Sequence, residues 1–233
     1  MVRPSVPLDV KRQLRQEAGF GCCNCGHPFI EYHHIVPYAE DPHMRPEDMM
    51  IVCGQCHTLL TAGAIPVEEQ RAWKRRPRNV IENKVNGRLY VTTGDLRVHL
   101  AGGMAINTPR LIAIDGEEIV VIQRGEDGRV EVSAIVQDDQ GDTIATIRSN
   151  EWEATPERVW DFEAHPRSAL VRYGPGRISF DIDCRRDQIR LRGAWFVGED
   201  QLRFTSTRCT FGESVIITRQ IVRDSFGFIN VRR

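Results

Sequence analysis

A chain of 233 residues, 41% hydrophobic and 27% charged, has ample apolar material for a buried core, which excludes disorder as its dominant state. No apolar run approaches the roughly 20 residues of a membrane span, and Met1-Val2-Arg3-Pro4 opens no secretory signal, so a soluble cytoplasmic protein without membrane association is expected. The net charge of −1 conceals an asymmetry: residues 1–80 hold 10 Lys+Arg against 9 Asp+Glu (+1), residues 81–165 hold 8 against 16 (−8), and residues 166–233 hold 13 against 7 (+6). The last 13 cations are all arginine, which bears on partners rather than on fold.

In chain order, Asp9 to Ala18 reads as a short helix, with Asp9 as N-cap, Val10, Leu14 and Ala18 on one face, and Gly19 as terminator. Residues 21–63 are dense in Cys, His, Pro and Gly and too irregular to build a core from apolar side chains alone. Pro66 to Trp73 suggests a second helix, with Pro66 at its first position and Glu68 and Glu69 in its first turn. Lys74-Arg75-Arg76-Pro77-Arg78 then marks a boundary, giving a domain over 1–78, a linker over 79–88 and a β-rich domain over 89–233.

Five of the seven cysteines lie within 35 residues, which argues for metal in a reducing compartment rather than a disulfide framework. Cys22-x-x-Cys25 and Cys53-x-x-Cys56 form two knuckles, the spacing of a tetrahedral thiolate cage for structural zinc. Cys23 is the spare and reads as packing; Gly26 fits a knuckle turn that needs positive φ. Four thiolates close the coordination sphere, so such a zinc builds structure and leaves catalysis to other groups. Between and after the knuckles stand His33, His34 and His57, which the cage does not need.

The run Leu14-Arg15-Gln16-Glu17-Ala18-Gly19-Phe20-Gly21-Cys22 through Cys25-Gly26, then His33-His34-Ile35-Val36-Pro37, then Asp48-Met49-Met50-Ile51-Val52-Cys53-Gly54-Gln55-Cys56-His57, resembles an HNH nuclease of the ββα-metal class, in the subgroup pinned by a four-cysteine zinc. The resemblance covers about residues 9–75. It implies that His34 is the general base that activates water, and that His33 and His57 are ligands of a catalytic divalent cation. Magnesium is the first choice, with manganese, nickel and zinc also open to imidazole ligation. Asp48 stands where the family carries its middle Asn, which braces the loop; aspartate accepts the same backbone hydrogen bonds but does not donate as an amide does. Histidine suits the chemistry, because its pKa lies near neutrality. Adjacent His33 and His34 on an extended strand point to opposite faces, and a helix after Cys53 would bring His57 beside His33.

Around these residues, His43 is expected as an exposed loop histidine, with a third-ligand or phosphate-contact role as the alternative. Glu31, Glu40 and Asp41 read as a solvated loop, and His27 as a surface residue. Arg71, Lys74, Arg75, Arg76 and Arg78 form a stripe suited to tracking phosphates, or equally a solvated linker.

From about Leu89 the pattern changes to short β-type runs: Leu111–Ile114, Glu118–Gln123, Val130–Gln137, Thr143–Arg148, Leu170–Tyr173, Arg177–Asp183, Gln188–Arg192, Gln201–Thr205 and Val215–Val222. Turn signals separate them, without intervening helices, which argues for an antiparallel sandwich or barrel. The fold class is therefore α+β: a small zinc-stabilised ββα-metal nuclease domain followed by an all-β domain. The aromatic segments around Trp152 and Val159-Trp160-Asp161-Phe162 read as core, and Cys184 and Cys209 as buried and inert. In Arg185-Arg186-Asp187-Gln188-Ile189-Arg190-Leu191-Arg192 the arginines alternate with apolar residues, lining one sheet face with guanidinium groups. Such a face grips phosphate, or pairs with the acidic middle segment within the chain or across a dimer.

The leading expectation is a metal-dependent endonuclease hydrolysing DNA, in a layout suited to restriction or anti-phage defence. Its β-domain would target, regulate or assemble the enzyme, through a homo-oligomer or a protein partner. The alternatives are a non-cleaving zinc-dependent nucleic-acid-binding module and an interaction protein that works through its β-domain; the presence of His33, His34 and His57 together favours the enzyme.

Overall fold

The computed structural model describes residues 4–91, 96–185, 188–217 and 219–232. The Met1-Val2-Arg3 start and the Arg186-Asp187 pair lie outside the described residues, as does Thr218 within the run 215–222. The chain divides into two compact units, one comprising the chain up to Gly87 together with Thr155–Phe162, the other Arg88–Ala154 with the chain from Glu163 onward.

The N-terminal unit opens with α1 (Leu8–Glu17). The expected cap shifts: Pro7 occupies the N-cap position and Asp9 falls in the first turn, where its charge favours the helix dipole. Gly19 and Phe20, at φ +62° and +63°, end the helix. The strands β1 (Glu31–His34) and β2 (Met49–Val52) pair antiparallel, with His33 opposite Met50 and His34 opposite Met49. The loop between them closes when the Ile35 N–H donates to the Asp48 carbonyl at 2.8 Å. Then follow α2 (Gly54–Thr61), α3 (Val67–Arg75) and α4 (Arg78–Glu82), so the segment expected as a linker from residue 79 carries most of a helical turn. Every residue of β2 is buried. It forms the middle of a core that includes Leu14, Ala18, Ile35, Leu60 and four cysteines. Burying each such aliphatic side chain contributes about 1.5–3 kcal/mol.

Thr155–Phe162 returns to this unit through a buried ion pair. Arg15 donates to both carboxylate oxygens of Asp161 at 2.9 and 2.8 Å, and to the Tyr32 hydroxyl at 2.8 Å. Phe162 packs on Phe20 with ring centroids 6.5 Å apart, and the Arg12 guanidinium lies 4.7 Å over the Trp160 ring.

The remaining strands are β3 (Val85–Arg88), β4 (Arg97–Leu100), β5 (Gly103–Ile106), β6 (Arg110–Ile114), β7 (Glu117–Arg124), β8 (Val130–Gln137), β9 (Thr143–Arg148), β10 (Glu151–Ala154), β11 (Asp161–His165), β12 (Ser168–Gly174), β13 (Arg177–Asp183), β14 (Ile189–Val197), β15 (Asp200–Phe204), β16 (Cys209–Phe211), β17 (Ser214–Ile217), β18 (Ile221–Arg223) and β19 (Gly227–Val231). Three of the expected runs, Val130–Gln137, Thr143–Arg148 and Arg177–Asp183, match strands end to end. The run expected as one strand over 215–222 is two, β17 and β18.

Within the second unit one sheet runs β19-β6-β7-β8-β9-β10, and another runs β12-β13-β14-β15-β16-β17 with β4 beside β14. Most neighbours are antiparallel, as the short turns require, but β4–β14, β5–β18 and β6–β19 are parallel. Parallel partners are distant in sequence, so no local turn signal announces them. Alternate residues of β8 are buried, and the sheets meet where the Trp195 indole N–H donates to the Ile135 carbonyl at 2.8 Å. Phe180 and Phe204 flank Trp195 edge-on, at 6.4 and 6.0 Å between centroids. Cys184 and Cys209 are buried, and burial pushes both thiols up to about 12. Among the described residues no helix is long and apolar enough to cross a membrane.

Candidate metal centre and histidine site

The two knuckles come from different elements. Cys22 and Cys25 lie on the turn after α1, where the Gly26 N–H donates to the Cys22 carbonyl at 2.8 Å. Gly26 sits at φ +78°, and a Cβ there would meet the Asn79 side-chain oxygen at 2.3 Å, so both conformation and space demand glycine. Asn79 is buried and donates to the Gly19 and Gly26 carbonyls at 3.2 and 3.0 Å, stapling the first knuckle. Cys53 stands at the N-cap position of α2 and Cys56 lies in its first turn.

The four sulfurs of Cys22, Cys25, Cys53 and Cys56 lie within 4.8 Å of one another, with Cys25–Cys53 at 3.6 Å and Cys56–Cys25 at 4.0 Å. A tetrahedral ion with metal–sulfur bonds of about 2.3 Å requires sulfur–sulfur edges of about 3.8 Å, so the cluster fits zinc. Burial, and then the neighbouring Cys22, push the Cys56 thiol up to about 11, against a lowering bond from the Asn24 amide at 3.5 Å. A bound dication reverses that cost by holding the thiolates. Cys23 is buried outside the cluster; burial raises its thiol to about 12, which suits packing.

Because Cys56 and His57 are adjacent, the cage fixes the start of α2 and with it the His57 ring. That ring meets the His33 ring edge-on, with centroids 5.3 Å apart. Each imidazole also has one nitrogen committed to an acceptor. The Gln70 amide nitrogen donates to the Ile65 carbonyl at 3.0 Å, so its oxygen faces His33 Nε2 at 3.1 Å and that nitrogen carries the proton. His57 Nδ1 lies 2.5 Å from the Glu31 carboxylate, which only accepts, so that nitrogen carries the proton. In the neutral rings the lone pairs therefore reside on His33 Nδ1 and His57 Nε2. Two neutral imidazoles oriented by acceptors behind them make a donor set that suits a divalent transition ion.

His34 is buried among other groups. Its ring meets Tyr38 edge-on at 5.5 Å and His43 at 5.0 Å, and its Nε2 lies 3.1 Å from the His43 carbonyl. A carbonyl only accepts, so Nε2 holds the proton and Nδ1 the basic lone pair. His43 differs from the exposed loop residue expected: it is buried, its Nδ1 accepts the Arg45 N–H at 3.2 Å, and its Nε2 donates to the Val36 carbonyl at 3.1 Å. Both nitrogens brace the loop, which leaves none for a metal or a phosphate. Glu31 likewise holds His57 rather than standing in a solvated loop.

Asp48 does not brace the backbone with its side chain. The carboxylate bridges Arg71 at 2.6 Å and Arg45 at 2.9 Å, and these two guanidiniums hold its pKa below the usual carboxylate value. In the basic stripe, Lys74 pairs with Glu17 and Arg78 with Glu82, while Arg75 and Arg76 are exposed. Sequence reasoning passed over Gln70, Asn79 and the bracing role of His43. A buried amide in a short polar helix and a histidine within hairpin reach carry no local pattern that distinguishes them from surface residues.

Residues 22–63 match the family model of HNH endonucleases. This segment is HNH-like. Comparison with curated proteins and with solved structures gave no match. The HNH segment spans both knuckles, β1, β2, α2 and all three histidines, and ends before Gln70, Arg71 and Asn79.

Proposed function

We propose that this chain is a metal-dependent HNH endonuclease that hydrolyses DNA phosphodiester bonds. One observation carries the reading: His33 on β1 meets His57 on α2, with one nitrogen of each held by Gln70 and Glu31, and the next residue of β1, His34, donates its Nε2–H to a backbone carbonyl. His34 is the general base: its Nδ1 takes a proton from the attacking water while the His43 carbonyl steadies the resulting imidazolium. His33 and His57 would hold the divalent cation, which supplies charge stabilisation at the scissile phosphate and leaving oxygen. Mg2+, Mn2+, Ni2+ and Zn2+ form the series to test. Cys22, Cys25, Cys53 and Cys56 hold a structural zinc, and thiolates of this kind persist in a reducing compartment such as the cytoplasm. Lys74, Arg75, Arg76 and Arg78 track DNA phosphates, with Arg75 and Arg76 unencumbered by salt bridges among the described residues. The nuclease module is residues 1–78, and the β-rich residues from 89 onward target, regulate or assemble it, a layout consistent with restriction or defence.

The test is nicking of supercoiled plasmid across the cation series, for the natural protein and His34→Ala. The substitution should lower the rate about 10²–10⁴-fold while zinc content stays unchanged. Undiminished nicking by His34→Ala would overturn the assignment of the base. DNA retention without cleavage in every cation would support the non-cleaving module instead.

A further inference from the structure

The second unit contains a cleft of about 590 Å³ on one face of the sheet built from β12, β13, β14 and β4. Strand register lays its floor. Asp181 lies opposite Arg192, Asp183 opposite Arg190, and Arg190 opposite His99 across the parallel pair. The neighbouring Ile182 and Ile189 are buried, so a polar row runs across three strands over an apolar core.

The charges on that row are unequally matched. Arg192 donates to Asp181, and Arg185 donates to both oxygens of Asp183 at 3.0 and 2.8 Å. Each carboxylate is thus neutralised by its own guanidinium. Arg190 acts on Asp183 and on His99 through its field, and among the described residues it makes no hydrogen bond. His99 Nε2 is buried and has no hydrogen-bond partner among the described residues. Leaving such a nitrogen unsatisfied costs about 1–3 kcal/mol, and in the tautomer with the proton on Nε2 an acceptor placed between these two groups satisfies both. Burial, and then Arg190, lower the pKa of His99, which favours its neutral imidazole.

One wall is equally specific. The turn between β4 and β5 approaches other backbone so closely that a Cβ at Gly103 would lie 2.0 Å from the Gln220 carbonyl oxygen, and one at Gly102 2.5 Å from that of Thr207. Ser206 faces the cleft beside this closed wall. The volume is that of a small-molecule site. Arg190 on β14, His99 on β4 and Ser206 all line the cleft, and the fork of the Arg190 guanidinium matches phosphate oxygens.

We propose that this cleft binds a phosphate monoester of nucleotide size, with its phosphate between the Arg190 guanidinium and the His99 imidazole. The binding is independent of the nuclease reading and needs no divalent cation.

Calorimetric titration of the full chain, without added divalent cation, tests it with four probes: dAMP, deoxyadenosine, inorganic phosphate and a single-stranded 12-mer lacking terminal phosphates. dAMP should saturate one site per chain, and deoxyadenosine should bind at least ten-fold more weakly. Inorganic phosphate should compete with dAMP. Arg190→Gln and His99→Phe should each weaken dAMP at least ten-fold with unchanged circular dichroism, and Arg190→Lys should fall between Arg190→Gln and the natural protein. Absence of dAMP binding at millimolar concentration, equal binding of dAMP and deoxyadenosine, or indifference to Arg190→Gln would each overturn the proposal. A 12-mer that matches dAMP with the same dependence on Arg190 would assign the cleft to the nucleic-acid backbone and overturn the monoester.

Discussion

Histidines 33 and 57 differ from most surface imidazoles in having one nitrogen tied down by a dedicated acceptor, and at His33 that acceptor is a buried amide. Gln70 is held by its own bond to the Ile65 carbonyl, so the His33 tautomer is set two bonds away from the ring. Gln70→Leu keeps the volume and removes the acceptor. It should lower divalent-cation affinity about 10–100-fold while leaving the cage zinc in place. Calorimetry with Mn2+ and a separate zinc assay check this, and an unchanged Mn2+ affinity would remove Gln70 from the site. His33, His34 and His57 stood out in the sequence because they cluster beside two knuckles whose four cysteines already complete a zinc site. The supporting residues did not, since glutamine and glutamate are common on any helix or strand and only the fold shows which ring they face.

At the scale of elements, the knuckles act as joints. The first is a turn closed by Gly26 and Asn79, the second is the N-terminus of α2, and the sulfurs bring the two together. A segment of 42 residues with one hairpin of two four-residue strands and one eight-residue helix has little independent stability. Cys53→Ser should therefore release zinc and unfold the helix–hairpin arrangement, since metal binding in small zinc domains supplies about 10–16 kcal/mol of folding free energy. Hydrogen exchange should show loss of protection over β1, β2 and α2 with the strands of the second unit still protected. Zinc retention with an unchanged melt would argue against the cage. The hairpin loop has its own reinforcement in His43 and in the Asp48 bridge between Arg45 and Arg71. A doubly salt-bridged aspartate keeps the loop connected to α3 where a neutral amide would have bonded to the backbone.

On the scale of the whole molecule, the N-terminal unit is not continuous in sequence. Thr155–Phe162 belongs to it, and the Arg15–Asp161 pair is the strongest polar tie: bidentate, with side-chain exposures of 9% and 3%. Removing one partner of a buried pair leaves an uncompensated charge. Asp161→Ala should cost about 3–5 kcal/mol, read as a lower urea midpoint for the N-terminal unit. Asp161→Ala with an unchanged midpoint would show that Arg15 is satisfied without it. The segment reads as ordinary β-region core because its aromatics carry no label for the core they join. Phe162 is buried as expected, but against Phe20.

The sequence by itself determined the local chemistry: two CxxC knuckles at cage spacing, three histidines beside them, and short β-type runs that became β8, β9 and β13. Those features depend on spacing along the chain and on the period-two geometry of strands, which a sequence displays directly. Tertiary structure decided what depends on residues far apart. It paired His33 with Gln70 and Arg15 with Asp161, made three strand pairs parallel, and left Arg190 and His99 side by side while Arg185 and Arg192 were neutralised by their neighbours. Partners of a buried polar group are chosen by packing and register across the fold, and neither is encoded in any short window of sequence.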